Sequence, residues 1–447
     1  MASMNDATLE PEATTDAFKK KFMTRLIIVL SGGMFLDGYI LGIIGPVSAV
    51  YTKDLGINSV WEGLITAAAL FGILFGSPLG GHLSDKFGRK PLFMLDITLF
   101  TVAAAMQFFI TGPLMFLIVR FLMGVAIGME YSVGWPMMAE FSPAKLRGRL
   151  MGLTVFMWYV GFMVAFTVGY CLNKYTSLNW RFIIGTSAFI ALALLLGRLG
   201  MPESPQWMWN RGKLAEARGI ATKYMSTTYV SEMEQAKSGH GTGKISELFS
   251  PQYWRATFFV SVFWFANVAP YFAIATFADQ VLQKYGLSGG LAGGVGMSAV
   301  TAAAVGISVL VVDKVGRRPL AVWPLWICAI VLGIISLWAG APAALVLTLF
   351  LIFSAMNGIG GMITSVYPGE VFPVEVRGVG TGFTAAVSRV GAGMGTFLLP
   401  WSIANLGMSI SMGIFAGVAL IGAVVTQWLA PETGGKTLAE LADSFGH

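Results

Sequence analysis

Apolar runs long enough to cross a bilayer, about 20 residues each, recur twelve times along this chain. They occupy 25–51, 61–83, 91–110, 114–139, 150–172, 180–200, 255–283, 289–312, 319–339, 343–368, 378–404 and 408–429. Each is predicted to be a helix. Six precede a polar segment at 201–253 and six follow it. The expected fold is an all-α membrane protein of 12 transmembrane helices, in two six-helix pseudo-symmetric halves joined by a cytoplasmic helical linker. The expected organisation is a polar N-terminus (1–24), a first half (25–200), the linker (201–253), a second half (254–430) and a tail (431–447).

The halves repeat each other. Gly81-His82-Leu83-Ser84-Asp85-Lys86-Phe87-Gly88-Arg89-Lys90-Pro91 is echoed by Asp313-Lys314-Val315-Gly316-Arg317-Arg318-Pro319, with the aspartates 228 residues apart. Glu140…Arg147 returns as Glu370…Arg377, and Pro202-Glu203-Ser204-Pro205 returns as Pro431-Glu432-Thr433. Duplicated bundles with a seam at the midplane are how secondary transporters are built. Glycines at four-residue spacing inside the spans, Gly72/Gly76, Gly124/Gly128 and Gly391/Gly395, let helix backbones approach closely.

Composition supports this pattern. Charged residues make up 12% of the chain and apolar residues 55%, against about 25% charged in soluble domains. The helices of a large soluble protein would need polar faces. The net charge of +6 records topology rather than nucleic-acid binding. Lys19, Lys20, Lys21 and Arg25 precede the first span; Lys86, Arg89 and Lys90 follow the second, and Lys145, Arg147 and Arg149 the fourth. This positive-inside bias places both termini and the central loop in the cytoplasm. Residues 1–18 carry no signal-peptide pattern. Cys171 and Cys328 fall in spans and offer no disulfide framework, and His82, His240 and His447 are scattered, so no metal site and no cofactor are expected.

GHLSDKFGRKP, the fourth-span run Arg120-Phe121-Leu122-Met123-Gly124-Val125-Ala126-Ile127-Gly128, Pro202-Glu203-Ser204-Pro205-Gln206-Trp207 and Pro431-Glu432-Thr433-Gly434-Gly435-Lys436-Thr437 together resemble the major facilitator superfamily. Within it the chain most resembles the bacterial metabolite:proton symporters, relatives of sugar porters, aromatic-acid carriers and organic-ion transporters. It departs from the pattern at Gln206, where sugar porters carry arginine, and in the second loop copy, which lacks the leading glycine. The resemblance implies an inner-membrane, multi-pass, monomeric transporter in contact with lipid, moving a small organic solute with protons by alternating access.

Ionisable groups deep in spans are functional candidates. Asp37 lies twelve residues past Arg25, roughly 18 Å into the bilayer at 1.5 Å per residue. The resemblance pairs it with Arg120 for proton coupling, a permanent structural ion pair being the alternative. Glu130 is a second proton site, a substrate contact or the partner of a basic group. Arg389 lies at the same depth as Asp37, and organic anion transporters show an arginine at the matching place. A guanidinium fork suits a carboxylate; a salt bridge to Asp279 or Glu130 is the alternative. Tyr39, Tyr131, Trp158, Tyr159, Trp264, Asn267, Tyr271 and Asn357 fall in spans that line the cavity in this family. Asp85, Arg89, Glu140 and Arg147, with Asp313, Arg317, Glu370 and Arg377, sit at helix ends and form a predicted cytoplasmic gating network.

The leading function is proton-coupled import of a carboxylate-bearing metabolite. A sugar or polyol:proton symporter and a proton-driven exporter of organic ions remain open. A nutrient sensor would carry a longer tail than residues 434–447. An enzyme would need a nucleophile–base or metal constellation, and none is visible. Gly434-Gly435-Lys436-Thr437 lacks the first glycine of a P-loop, Ala430 standing there, and no strand precedes it, so ATP is not the expected energy source.

Overall fold

The computed structural model describes residues 16–142, 144–225, 244–287, 290–338, 340–372 and 376–433; the side chains of 139, 144–149, 290–291, 313, 369 and 377–378 lie outside that description. The polar N-terminus before residue 16, the glycine-bearing stretch 239–243 and the tail after Thr433 therefore lie outside it too.

The predicted spans are helices. In the first half they are α1 (Asp16–Gly42), α2 (Ser59–Phe87), α3 (Arg89–Met106), α4 (Pro113–Phe141), α5 (Ala144–Tyr175) and α6 (Ser187–Arg198, preceded by a turn at Trp180–Gly185). In the second they are α7 (Trp254–Thr276), α8 (Gly290–Val315), α9 (Arg317–Leu337), α10 (Ala343–Val371), α11 (Arg377–Leu406) and α12 (Met408–Leu429). Among the described residues eleven helices or helix chains are long and apolar enough to cross a membrane. The exception is α11, whose serines, threonines, glycines and Arg389 make it less apolar.

Helix packing repeats with a shift of six. α1 packs on α5 as α7 packs on α11, α2 on α4 as α8 on α10, and α3 on α6 as α9 on α12. The halves meet chiefly along α2 against α11 and α5 against α8. The paired glycines explain the tightest crossing. Gly72 and Gly76 of α2 lie against the Phe121 and Val125 carbonyls of α4, while Gly124 lies against the Ala69 carbonyl of α2. A methyl group at any of these would overlap backbone, which cannot move aside.

The first helix of each half is broken near its outer end. After α1 the chain passes through a 3-10 turn at Gly45–Val47 into Ser48–Asp54. After α7 it turns at Phe277 into Ala278–Lys284. The linker begins as two short helices, Pro205–Asn210 and Leu214–Tyr224, bound to the first half. Trp207 Nε1 donates to the Asp85 carbonyl (3.1 Å), and Tyr224 stacks near Phe22 (4.5 Å). It rejoins the second half at Ile245–Phe249, where Thr257 Oγ1 donates to the Leu248 carbonyl (3.0 Å).

Overpacking a tight crossing costs about 1–3 kcal/mol. Gly124→Val should therefore lower the apparent Tm of the purified protein by several degrees. Gly417→Val should leave it unchanged, because no atom lies within 4 Å of a side chain there. Thermal unfolding in detergent checks both; equal Tm values would refute the packing account.

Candidate functional site

A cavity of about 70 Å³ lies between the halves, lined by Met34 of α1, Tyr131 and Trp135 of α4, Trp158 and Tyr159 of α5, Asn267, Tyr271 and Phe272 of α7, Gly361 and Ser365 of α10 and Arg389 of α11. Sequence reasoning had Arg389, Asn267, Tyr131, Trp158, Tyr159 and Tyr271. It missed Trp135, which stacks on Tyr131 (5.3 Å, 11°) and stands four residues on, the spacing of one helical face. It also missed Phe272, Ser365 and Gly361. The last is a glycine because the Tyr159 hydroxyl lies where its side chain would be.

Three predicted contacts are not part of this wall. Tyr39 points to the outer side of the first half, its hydroxyl 2.7 Å from Thr186 Oγ1. Trp264 is buried within the core. Asn357 is a brace: its Nδ2 donates to the Asn267 carbonyl (2.8 Å). Pro270, three residues on, lacks the backbone N–H that would pair with the Ala266 carbonyl. The Asn267 side-chain Nδ2 has no hydrogen-bond partner among the described residues.

Arg389 is half-buried, with its guanidinium 5.4 Å from the centre of the Tyr131 ring. Among the described residues it forms no ion pair; Glu130 is engaged elsewhere, and Asp279 does not reach it. With Asn267 Nδ2 and the unpartnered Trp135 Nε1, the lining is rich in donors. Unmet donors next to apolar rings suit an oxygen-bearing ligand, because an unpaired buried donor costs free energy until it finds an acceptor.

The residues expected to couple protons fall in two layers, and Asp37 and Arg120 are not paired. Arg120 Nη1 donates to the Ile40 carbonyl (2.8 Å) and forms no ion pair with Asp37. Asp37 is fully buried, and neither carboxyl oxygen has a partner among the described residues. The charges whose fields reach it are Glu130, Arg198 and Arg389. Glu130 lies ten residues past Arg120 on α4, about 15 Å further along the helix, and Asp37 falls with that deeper layer. The partner of Glu130 is Arg198 of α6 (2.6 Å), which also holds Asp96 of α3 (2.8 Å). Sequence reasoning overlooked both Asp96 and Arg198, although each is a charge inside a span and so carried the signal that singled out Asp37.

At the ends that carry the loop motifs the two halves have matching clusters. Arg89 meets Asp85 (3.2 Å) and Glu140 (3.6 Å), as Arg317 meets Glu370 (3.2 Å). Ser204 Oγ donates to Glu140 (2.6 Å), as Thr433 Oγ1 donates to Glu370. Glu203 accepts from the Arg89 backbone N–H (2.9 Å), and Glu432 from that of Arg317 (2.9 Å). These carboxylates meet the first N–H groups of α3 and α9, where the helix dipole favours negative charge. The repeated Pro-Glu-Ser and Pro-Glu-Thr motifs therefore tie the ends of α6 and α12 to the loop motif. Each of these pairs lies within one half. The Arg147, Asp313 and Arg377 side chains lie outside the described residues.

The outer side is closed by contacts between halves. Gln280, in the short helix after α7, donates to Glu62 Oε1 of α2 (2.6 Å) and Ser48 Oγ (3.0 Å). Gly45 packs on the Thr276 carbonyl and Gly63 on the Phe397 carbonyl.

The match to known proteins covers the whole of this architecture. A family model described as "Sugar (and other) transporter" matches residues 25–445. The chain belongs to that family. It is 33% identical to the inner membrane metabolite transport protein YgcS of Escherichia coli, over 95% of this chain and 94% of that protein. It is 27% identical to the major myo-inositol transporter IolT of Bacillus subtilis, over 95% and 94%. The fold is that of XylE of E. coli, a major facilitator superfamily proton:xylose symporter solved with 6-bromo-6-deoxy-D-glucose: the TM-score is 0.77 at 22% identity, covering 96% of this chain and 100% of that one. The chain is thus a multi-pass membrane transporter of the sugar-transporter family and not an enzyme.

A hydrogen bond to a charged group contributes about 1.5–3 kcal/mol, so the Gln280–Glu62 latch biases the closed outer side. Spin labels at Lys53 and Lys284, both exposed, should report longer and broader distances in Gln280→Ala than in the parent protein. An unchanged distribution would mean that the latch carries no weight.

Proposed function

We propose that the protein is a proton-coupled symporter of a small carboxylate-bearing metabolite in the bacterial inner membrane, with both termini cytoplasmic, working as a monomer by alternating access. The observation that carries the substrate class is Arg389. It is a guanidinium without an ion pair, set in a donor-rich wall between the halves. The cavity of about 70 Å³ holds about two waters at about 30 Å³ each, far below the roughly 300–1,000 Å³ of a ligand site. Loading therefore requires the halves to part. The closed outer latch supports an opening on the cytoplasmic side. In this reading the loop clusters at Arg89 and Arg317 are the gate: their carboxylates cross to the other half, with Arg147 and Arg377, when the outer side opens.

Asp37 carries the coupling proton, as a buried carboxyl without a hydrogen bond beside charges from both halves. Arg120 acts on α1 through the Ile40 carbonyl. The second reading, a sugar or polyol:proton symporter, is favoured by the unmet Asn267 amide against the rings of Tyr159, Tyr271 and Trp158. It is also favoured by the inositol and xylose substrates in the relatives' names.

Proteoliposome uptake of labelled organic acids, sugars and polyols with an inward proton gradient separates the readings. An acid should accumulate, and Arg389→Gln should weaken its apparent affinity about tenfold or more, the value of one lost charge-assisted pair. Asp37→Asn should lose accumulation yet keep exchange. Sugar accumulation indifferent to Arg389→Gln would establish the second reading.

A further inference from the structure

We propose that Asp96 and Glu130, clamped by Arg198, share a proton and form a second proton-binding site inside the first half, behind Asp37. The site is built from three helices. Arg198 Nη1 donates to Asp96 Oδ1 (2.8 Å) and to the Phe93 carbonyl (2.8 Å), and Nη2 donates to Glu130 Oε2 (2.6 Å). The guanidinium lies flat against the Phe93 ring, 3.8 Å from its centre. All three charged side chains are inaccessible to solvent.

The charge count does not close without a proton. Two carboxylates sit side by side on the two terminal nitrogens of one guanidinium, Asp96 on Nη1 and Glu130 on Nη2. Asp96 Oδ2 receives no donor from any described residue. Two carboxylates side by side in a buried site disfavour each other's ionisation, and one proton held between them relieves both. The other charged groups facing the cluster do not relieve it. Asp37 of α1 adds a third carboxylate, Tyr131 of α4 is a neutral phenol, and Arg389 of α11 belongs to the opposite half.

The packing places the pair against α1. Glu130 Oε1 lies against Gly33 of α1 and Gly134 of α4, two positions without side chains. Asp37 stands four residues past Gly33, on the same face of α1. A proton passing from the pair to Asp37 breaks one carboxyl O–H bond and makes another. It leaves Asp37 neutral and both Asp96 and Glu130 ionised on Arg198, with the net charge of the group unchanged. The cluster is thus a reservoir that refills Asp37 without contact with water. Its use in transport rests on the proton-coupled reading above, but the bound proton can be tested by itself.

The test is infrared difference spectroscopy, high against low pH, on the full-length protein in lipid nanodiscs. Parent, Asp37→Asn and the double variant Asp37→Asn/Glu130→Gln are compared in H2O and D2O. Asp37→Asn should retain a protonated-carboxyl absorption that shifts in D2O, and the added Glu130→Gln should abolish it. If Glu130→Gln does not fold, Asp96→Asn in the same background takes its place. The proposal is overturned if Asp37→Asn shows no protonated carboxyl at any pH, which would make the cluster a fully ionised staple. It is equally overturned if the absorption survives in the double variant, which would assign it to another buried acid such as Glu62. Gradient-driven accumulation by Asp37→Asn would sink the coupling reading, while the carboxyl absorption would still decide whether this site holds a proton.

Discussion

A polar group placed in hydrocarbon must find its partner inside the protein, because no water is there to replace one. The arrangement of this transporter follows from that constraint. Backbone groups are satisfied within helices, so the chain is a set of long helices. Where helices break, at 42–48 and around Phe277, the loosened backbone is buried against the other half rather than against lipid. Arg198 survives in the core because two carboxylates, a carbonyl and an aromatic face surround it. Breaking such a buried group by removing one partner costs several kcal/mol.

Against this background the unsatisfied groups stand out. Asp37, the Asn267 amide and the Trp135 indole N–H have no partner among the described residues, and Arg389 has an aromatic face but no counter-charge. They converge on the seam between the halves. A static protein would be stabilised by pairing them or replacing them. In the proposed function the missing partners are the cargo and the proton, and the deficit becomes binding free energy when these arrive. The seam runs along α2 against α11 and α5 against α8, with glycines on carbonyls and Gln280 on Glu62 among its contacts.

Duplication gives the two ends of the molecule different characters. At the end that carries the loop motifs, Glu203 and Glu432 cap α3 and α9, and Arg89 and Arg317 hold Glu140 and Glu370, each within its own half. At the opposite end Gln280 joins the second half to Glu62 of the first.

How much of this was legible in the chain depends on the range of the interaction. The helices, their number and the repeat are local matters of apolar run length and spacing, and the sequence determined them. The close crossings at Gly72/Gly76 and Gly124 were also readable, since absence of a side chain has only one use inside an apolar span. So was the importance of Arg389 and Asn267, because a polar group at that depth needs a reason. Partnership was not legible. Asp37 and Arg120 both lie on inward faces, yet the rotation and depth of α4 against α1 put Ile40, not Asp37, beside the arginine. Arg198 reaches Glu130 from 68 residues away, and Tyr39, Trp264 and Asn357 face neighbours rather than the cavity. One helix's sequence states which side chains it carries. Only the packing of several helices decides which of those side chains meet, because a turn of about 100° or a shift of about 5 Å exchanges one partner for the next.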